Sequence, residues 1–186
     1  MELGGGGRGR ESLATQRVFY SYSHEDRSYC QKLRKHLALL ERSGIIVSWF
    51  DREILPGSDW AYEIDEHLNQ SEMVLLLVSA NFISSDYCFG KEMARALERH
   101  DAEECLVIPI FIKPVDYSGA PFARLQMLPS NGRAAIMWRP QDAAWEDTAK
   151  GVRKVAETLG KGIRIPRPKS GAIILPSHAS PPLSLA

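Results

Sequence analysis

Two rhythms of apolar positions alternate along this chain, and each change of rhythm predicts a change of element. Arg17-Val18-Phe19-Tyr20-Ser21-Tyr22-Ser23 is rich in aromatic residues and runs out into small polar ones, the pattern of a strand that delivers a loop. Ser23-His24-Glu25-Asp26 then reads as a capping box, with the Ser23 hydroxyl serving a backbone N–H and the Asp26 carboxylate reaching back. Tyr29, Leu33, Leu37 and Leu40 follow at helical spacing, and Gly44 stands where a left-handed cap ends a helix.

The alternation repeats. Ile45-Ile46-Val47-Ser48-Trp49-Phe50 predicts a second strand, Asp51 to Asp59 a polar loop with a Pro56-Gly57 turn, and Trp60 the restart of a helix capped by Ser58 or Asp59. Ala61, Ile64 and Leu68 form the expected buried stripe of that helix. Met73-Val74-Leu75-Leu76-Leu77-Val78 is apolar on both faces, as a central parallel strand covered by helices on both sides requires. Ser84 to Met93 then reads as a loop turning into a helix, with Met93, Ala94, Ala96 and Leu97 as its apolar contacts. Leu106 to Ile112 is a fourth strand in which Pro109 removes a ladder donor, so it belongs near a sheet edge. After a turn-rich stretch pinned by Phe122, Leu125, Met127 and Leu128, Ala134 to Trp138 reads as a short fifth strand and Ala144 to Leu159 as the last helix. Five strands alternating with helices predict a doubly wound α/β fold, a five-stranded parallel sheet flanked by helices.

The ends have a different composition. Residues 1–16 hold Gly4-Gly5-Gly6-Gly7 with Arg8 and Arg10, and no strand precedes the glycines to make them a phosphate cradle, so they read as a flexible arm. Residues 161–186 carry five prolines and four basic residues with no acidic one, the composition of a linker or tail able to reach another domain or protein. The domain proper is therefore expected over residues 17–160.

Charge and cysteine usage remove several function classes. Lys plus Arg (23) equals Asp plus Glu (23), so no global field draws nucleic acid or an anionic membrane, and small-molecule or protein partners fit better. The three cysteines lie far apart with no CxxC pair, which argues against a disulfide framework and a zinc site and for a reducing cytoplasm. No stretch reaches the ~18 apolar residues of a membrane span, and the N-terminus lacks the apolar core of a signal peptide. Glu92, taken alone, reads as a surface residue pairing with Arg95 one helical turn on. A receiver-type magnesium site is disfavoured because no paired acidic residues directly follow the first strand.

Four motifs in order change that picture. Val18 to Asp26, Trp49-Phe50-Asp51, Ile54 to Trp60 and Tyr87-Cys88-Phe89-Gly90-Lys91-Glu92-Met93 resemble a bacterial TIR (Toll/interleukin-1 receptor) domain, and the resemblance runs from about Arg17 to Leu159. It implies a flavodoxin-like fold, with ligands beyond the carboxyl ends of the first and third strands. It also implies one of two functions. The first is cleavage of the nicotinamide–ribose bond of NAD+ as a glycohydrolase or cyclase, activated by self-association, in bacterial signalling or immune defence. The alternative is a non-enzymatic adaptor for homotypic assembly. By resemblance Glu92 is the catalytic carboxylate, and Tyr22, Ser23, Asp51, Trp60 and Cys88 are substrate-binding positions. No metal or cofactor is implied, NAD+ being the substrate. Loop 51–59 matches the segment that contacts a neighbouring TIR domain. Cys88 departs from the pattern, since several members place a tryptophan there. For Ser23 a helix cap, for Asp51 a loop anchor and for Trp60 a helix-start core aromatic remain open as alternatives.

Overall fold

A computed structural model describes residues 13–49 and 60–167, the side chain of Trp60 excepted. Four parallel strands, β1 (Gln16–Ser21), β2 (Ile46–Trp49), β3 (Met73–Val78) and β4 (Leu106–Phe111), form a sheet of order β2-β1-β3-β4. The helices are α1 (Arg27–Arg42), α2 (Trp60–Gln70), α3 (Ala80–Ser84), α4 (Met93–Asp101) and α5 (Asp142–Gly160). Register is set by side-chain alternation: Tyr20 lies opposite Leu75, and Leu75 opposite Ile108.

All six residues of β3 are buried, because successive side chains enter two different cores. Met73, Leu75 and Leu77 pack with Leu33, Leu37 and Leu40 of α1 and with Trp145, Val152 and Ala156 of α5. Val74, Leu76 and Val78 pack with Ile64 and Leu68 of α2, Phe82 of α3, and Met93, Ala96 and Leu97 of α4. The result is three layers, helix on sheet on helix, with β3 central as expected. Ala61 and Ala94 are exposed, so the buried stripes of α2 and α4 are narrower than predicted. Gly44 closes the turn after α1 at φ +67°, the left-handed cap expected there.

Pro109 lies on the edge strand β4. Its carbonyl accepts from the Leu128 N–H (2.9 Å) on the outer side, so the donor it lacks is missing only where β4 meets a single bridging residue. That bridge accounts for the missing fifth strand. Leu128 occupies the outer edge at Ile110, whereas Ala135–Met137 is a 3₁₀ turn whose Ile136 N–H donates to the Ile112 carbonyl (3.2 Å), one residue past β4.

The stretch expected as a loop before α4 is helical. Ser79 caps α3, its Oγ accepting from the Phe82 N–H (3.0 Å), and Ser85 starts a π-helical segment, Asp86–Glu92, by accepting from the Cys88 N–H (3.2 Å). The Met93 N–H donates to the Cys88 carbonyl, the i→i−5 bond of a π-turn. At the other end, part of the expected tail packs on the domain: Ile165 lies against the α1/α5 core and Arg167 Nη1 donates to the His100 carbonyl (2.8 Å).

Candidate functional site

In a sheet of this order the chain leaves β1 toward one face and β3 toward the other, opening a crevice at their carboxyl ends. A pocket of about 350 Å³ lies there. Its wall includes Tyr22 and Ser23 after β1, Trp49 at the end of β2, and Tyr87, Cys88 and Glu92 from the π-helical segment. The structure thus brings together Glu92, Tyr22, Ser23 and Cys88. Asp51 and the 51–59 loop lie outside the described residues, as does the side chain of Trp60.

Glu92 is buried, 7% exposed, although it follows Lys91 on a helical segment. Helical spacing explains this: Glu92 lies four residues before the fully buried Ala96, as Met93 lies four before the buried Leu97, so both face inward with α4. The Ser21 hydroxyl, at the last position of β1, donates to Glu92 Oε2. The i+3 pairing with Arg95 does not form: Arg95 donates instead to Glu98 (2.7 Å) and Asn69 (2.8 Å). A buried carboxylate is thus held at the pocket wall by a hydroxyl, with no bond to the one cation that helical spacing offered.

The other lining residues are set by packing. The Cys88 thiol is buried and donates to the Tyr22 carbonyl (3.4 Å), tying the loop after β1 to the π-segment. Ser23 makes no side-chain capping bond, so its hydroxyl is not used as the capping box required. Trp49 is stacked between Phe19 (5.6 Å between ring centroids) and His67 (4.1 Å), which fixes an aromatic wall beside the carboxylate.

Asp26 is the main surprise. It is fully buried, and rather than capping α1 its carboxylate crosses the crevice to accept from the Ser79 hydroxyl, Asn81 Nδ2 (3.2 Å) and Lys113 Nζ (2.6 Å). Hydrogen bonding to Asp26 holds the Lys113 ammonium above the usual lysine range, and its Nζ also sits 5.0 Å from the Tyr29 ring centroid. The cluster fastens the segments following β1, β3 and β4 behind the pocket. Ser21 and Asp26 were not singled out from sequence as site residues, Asp26 being expected only in a capping box. The available signal was that each is a small polar or acidic residue at a strand exit, where a partner on the adjacent strand exit is within reach.

Among the described residues no helix is long and apolar enough to cross a membrane, and no group of three or more His, Cys, Asp or Glu side chains could hold a metal ion.

Comparison with known proteins places this geometry. The chain is 41% identical over 168 residues to an uncharacterized protein, y4lF, of Sinorhizobium fredii, covering 90% of this chain and 52% of that protein. The chain therefore spans about half the length of that relative. A shorter stretch of 72 residues is 32% identical to Toll-like receptor 4 of Pinctada imbricata, covering 38% of this chain and 8% of the receptor. In fold it resembles the TIR domain of the Toll-related receptor TRR-2 of Hydra magnipapillata, with a TM-score of 0.52, 22% identity, and coverage of 73% of this chain and 97% of that one. Residues 18–159 match the family model described as TIR domain, and the chain belongs to that family.

Proposed function

We propose that this TIR domain cleaves NAD+ at the nicotinamide–ribose bond, with Glu92 as the catalytic carboxylate. The observation that carries this reading is the buried Glu92 carboxylate, held by Ser21, on the wall of a pocket at the β1/β3 switch point.

The chemistry needs few groups. Nicotinamide leaves a pyridinium as a neutral molecule, so no general acid is required, unlike an ordinary glycosidase with two carboxylates. The C–N bond breaks with its electron pair passing to the nicotinamide nitrogen. Positive charge then develops at the ribose carbon, where an anionic Glu92 stabilises it electrostatically and holds the ribose hydroxyls. Water adds to that carbon and releases a proton, giving ADP-ribose and nicotinamide; an internal nucleophile in place of water gives a cyclic product. Tyr22, Ser23 and Cys88 enclose the nicotinamide ribose, while Asp51 and Trp60 contact the rest of the dinucleotide. At about 350 Å³ the pocket is near the lower end of small-molecule sites, ~300–1,000 Å³, and suits half of a dinucleotide. This supports activation by self-association, a second copy completing the site through the 51–59 loop.

On this reading the protein is a cytoplasmic effector of bacterial signalling or defence. The second reading is an assembly module without chemistry, favoured by the local likeness to a Toll-like receptor. Incubating the concentrated full chain with NAD+, with and without a clustering agent, separates the two. The enzymatic reading expects nicotinamide release that rises with clustering; no release under any clustering condition supports the assembly module.

A further inference from the structure

A second and larger cavity, about 730 Å³, lies away from the Glu92 pocket, along the outer edge of β4 and against α5. Leu106, Ile108, Leu128, Val155 and Ile165 give it a mostly aliphatic wall, and Lys154, exposed on α5, stands at its rim. Leu128, Val155 and Ile165 are only partly buried, so the groove leaves aliphatic surface facing water.

The edge beneath the groove is closed to a pairing strand. On the outer side of β4 the Val107 N–H donates to His100 Nδ1 (3.0 Å), and Pro109 has no N–H to offer. The Pro109 carbonyl and the Phe111 N–H are both taken by Leu128 (2.9 and 2.7 Å). A strand laid along β4 would find little to bond, so the groove suits an occupant that brings aliphatic side chains and needs no ladder.

The chain itself arrives there. After α5 it turns at Gly162 (φ +71°), packs Ile165 on the α1/α5 core and is fastened at Arg167, whose Nη1 donates to the His100 carbonyl (2.8 Å). Ile165, Pro166 and Arg167 all line the cavity, and the longest apolar run that follows them in sequence is Ala172-Ile173-Ile174-Leu175, bracketed by Pro168 and Pro176. The prolines cost nothing in a groove that asks for no ladder bonds.

We propose that residues 172–175 of the same chain fold back into this groove and cover it with Ile173, Ile174 and Leu175. The step from Arg167 to Ala172 spans up to about 17 Å when extended, close to the ~20 Å length of the 6-residue strand β4. A tether this short holds the segment at a roughly millimolar local concentration, which an untethered partner making the same contacts must match. The inference is independent of the chemistry at Glu92.

Two measurements on the full chain test it. In ¹³C methyl spectra, Ile173→Asp/Ile174→Asp should move the Val155 and Ile165 signals and leave those of Ile64 and Val74, in the other core, in place. Leu183→Asp/Leu185→Asp adds the same charge outside the run and should move neither set. Unmoved Val155 and Ile165 signals, or equal movement with the second pair, would overturn the proposal. Independently, Lys154→Cys/Leu175→Cys is oxidised with diamide at low protein concentration and the products are mapped by peptide mass. A disulfide within one chain is expected, forming at least about tenfold faster than in Glu66→Cys/Leu175→Cys, whose α2 site lies across the sheet from α5. A disulfide between chains would make a second copy the occupant, and equal rates for the two pairs would leave the groove to another ligand; either result refutes the fold-back.

Discussion

The Asp26–Lys113 pair allows a prediction whose size follows from geometry. Asp26 is fully buried and Lys113 is about one-third exposed, so removing either partner is not symmetric. Lys113→Met leaves a carboxylate out of water with only two neutral donors, Ser79 and Asn81. Breaking a fully buried pair costs about 3–5 kcal/mol. Partial solvation of the lysine lets water offset some of this, so we expect about 2–3 kcal/mol. With an m-value near 2 kcal/mol/M in urea, the unfolding midpoint should fall by about 1–1.5 M. Asp26→Asn in the same background removes the stranded charge, so the double variant should be at least ~1 kcal/mol more stable than the two single costs added together. Urea unfolding of the four proteins of this cycle, at pH 7 and fixed ionic strength, measures both quantities. A cost below about 0.5 kcal/mol for Lys113→Met, or strict additivity, would show that the cluster does not fasten the crevice as described.

Other expectations come from single groups. Ser21→Ala removes a hydroxyl donor to Glu92 and should slow nicotinamide release about 10–100-fold, the range for a hydrogen bond to a charged group, with the melting temperature little changed. His100 is a base whose folded value, about 4, lies below its ordinary 6.5, so the unfolded chain binds the extra proton between those values. Its contribution to stability is therefore full above pH 6.5 and lost as pH falls toward about 4, and His100→Gln should flatten that part of the stability–pH curve relative to the parent. Burial pushes the Cys105 thiol up to about 11, so iodoacetamide at pH 8 should leave Cys105 unmodified in the folded protein and alkylate it after unfolding, as read by peptide mass.

What could be read from sequence was whatever periodicity controls. The alternating and continuous apolar runs located all four strands and the central place of β3, because burial on one or both faces is written directly into spacing. Pro109 signalled the edge, since a missing donor is tolerated there. Gly44 signalled the end of α1 for the same kind of local reason. Tertiary choices were hidden. Asp26 stands three residues after Ser23, so its spacing satisfies the capping box, yet Ser79, Asn81 and Lys113, more than fifty residues away, capture it. Ala134 to Trp138 has strand-like composition, but Leu128 already occupies the edge of β4. Glu92 was singled out through its motif. Taken alone it could pair with Arg95 on the surface, yet it also stands four residues before Ala96, and that spacing puts it on the buried face of α4. The cavity along β4 was not visible at all, because His100, Arg124 and Arg167 are separated in sequence and meet only when α4, the segment after β4 and the end of the domain pack together.

The measurement closest to the central claim compares the parent chain with Glu92→Gln, which keeps side-chain size and removes the charge. Both proteins are checked for equal melting temperature and then clustered with NAD+, and nicotinamide is quantified over time. If Glu92 stabilises the developing ribosyl cation, release should fall by at least about 100-fold in the variant. Release at the parent rate from a folded Glu92→Gln protein would contradict the account.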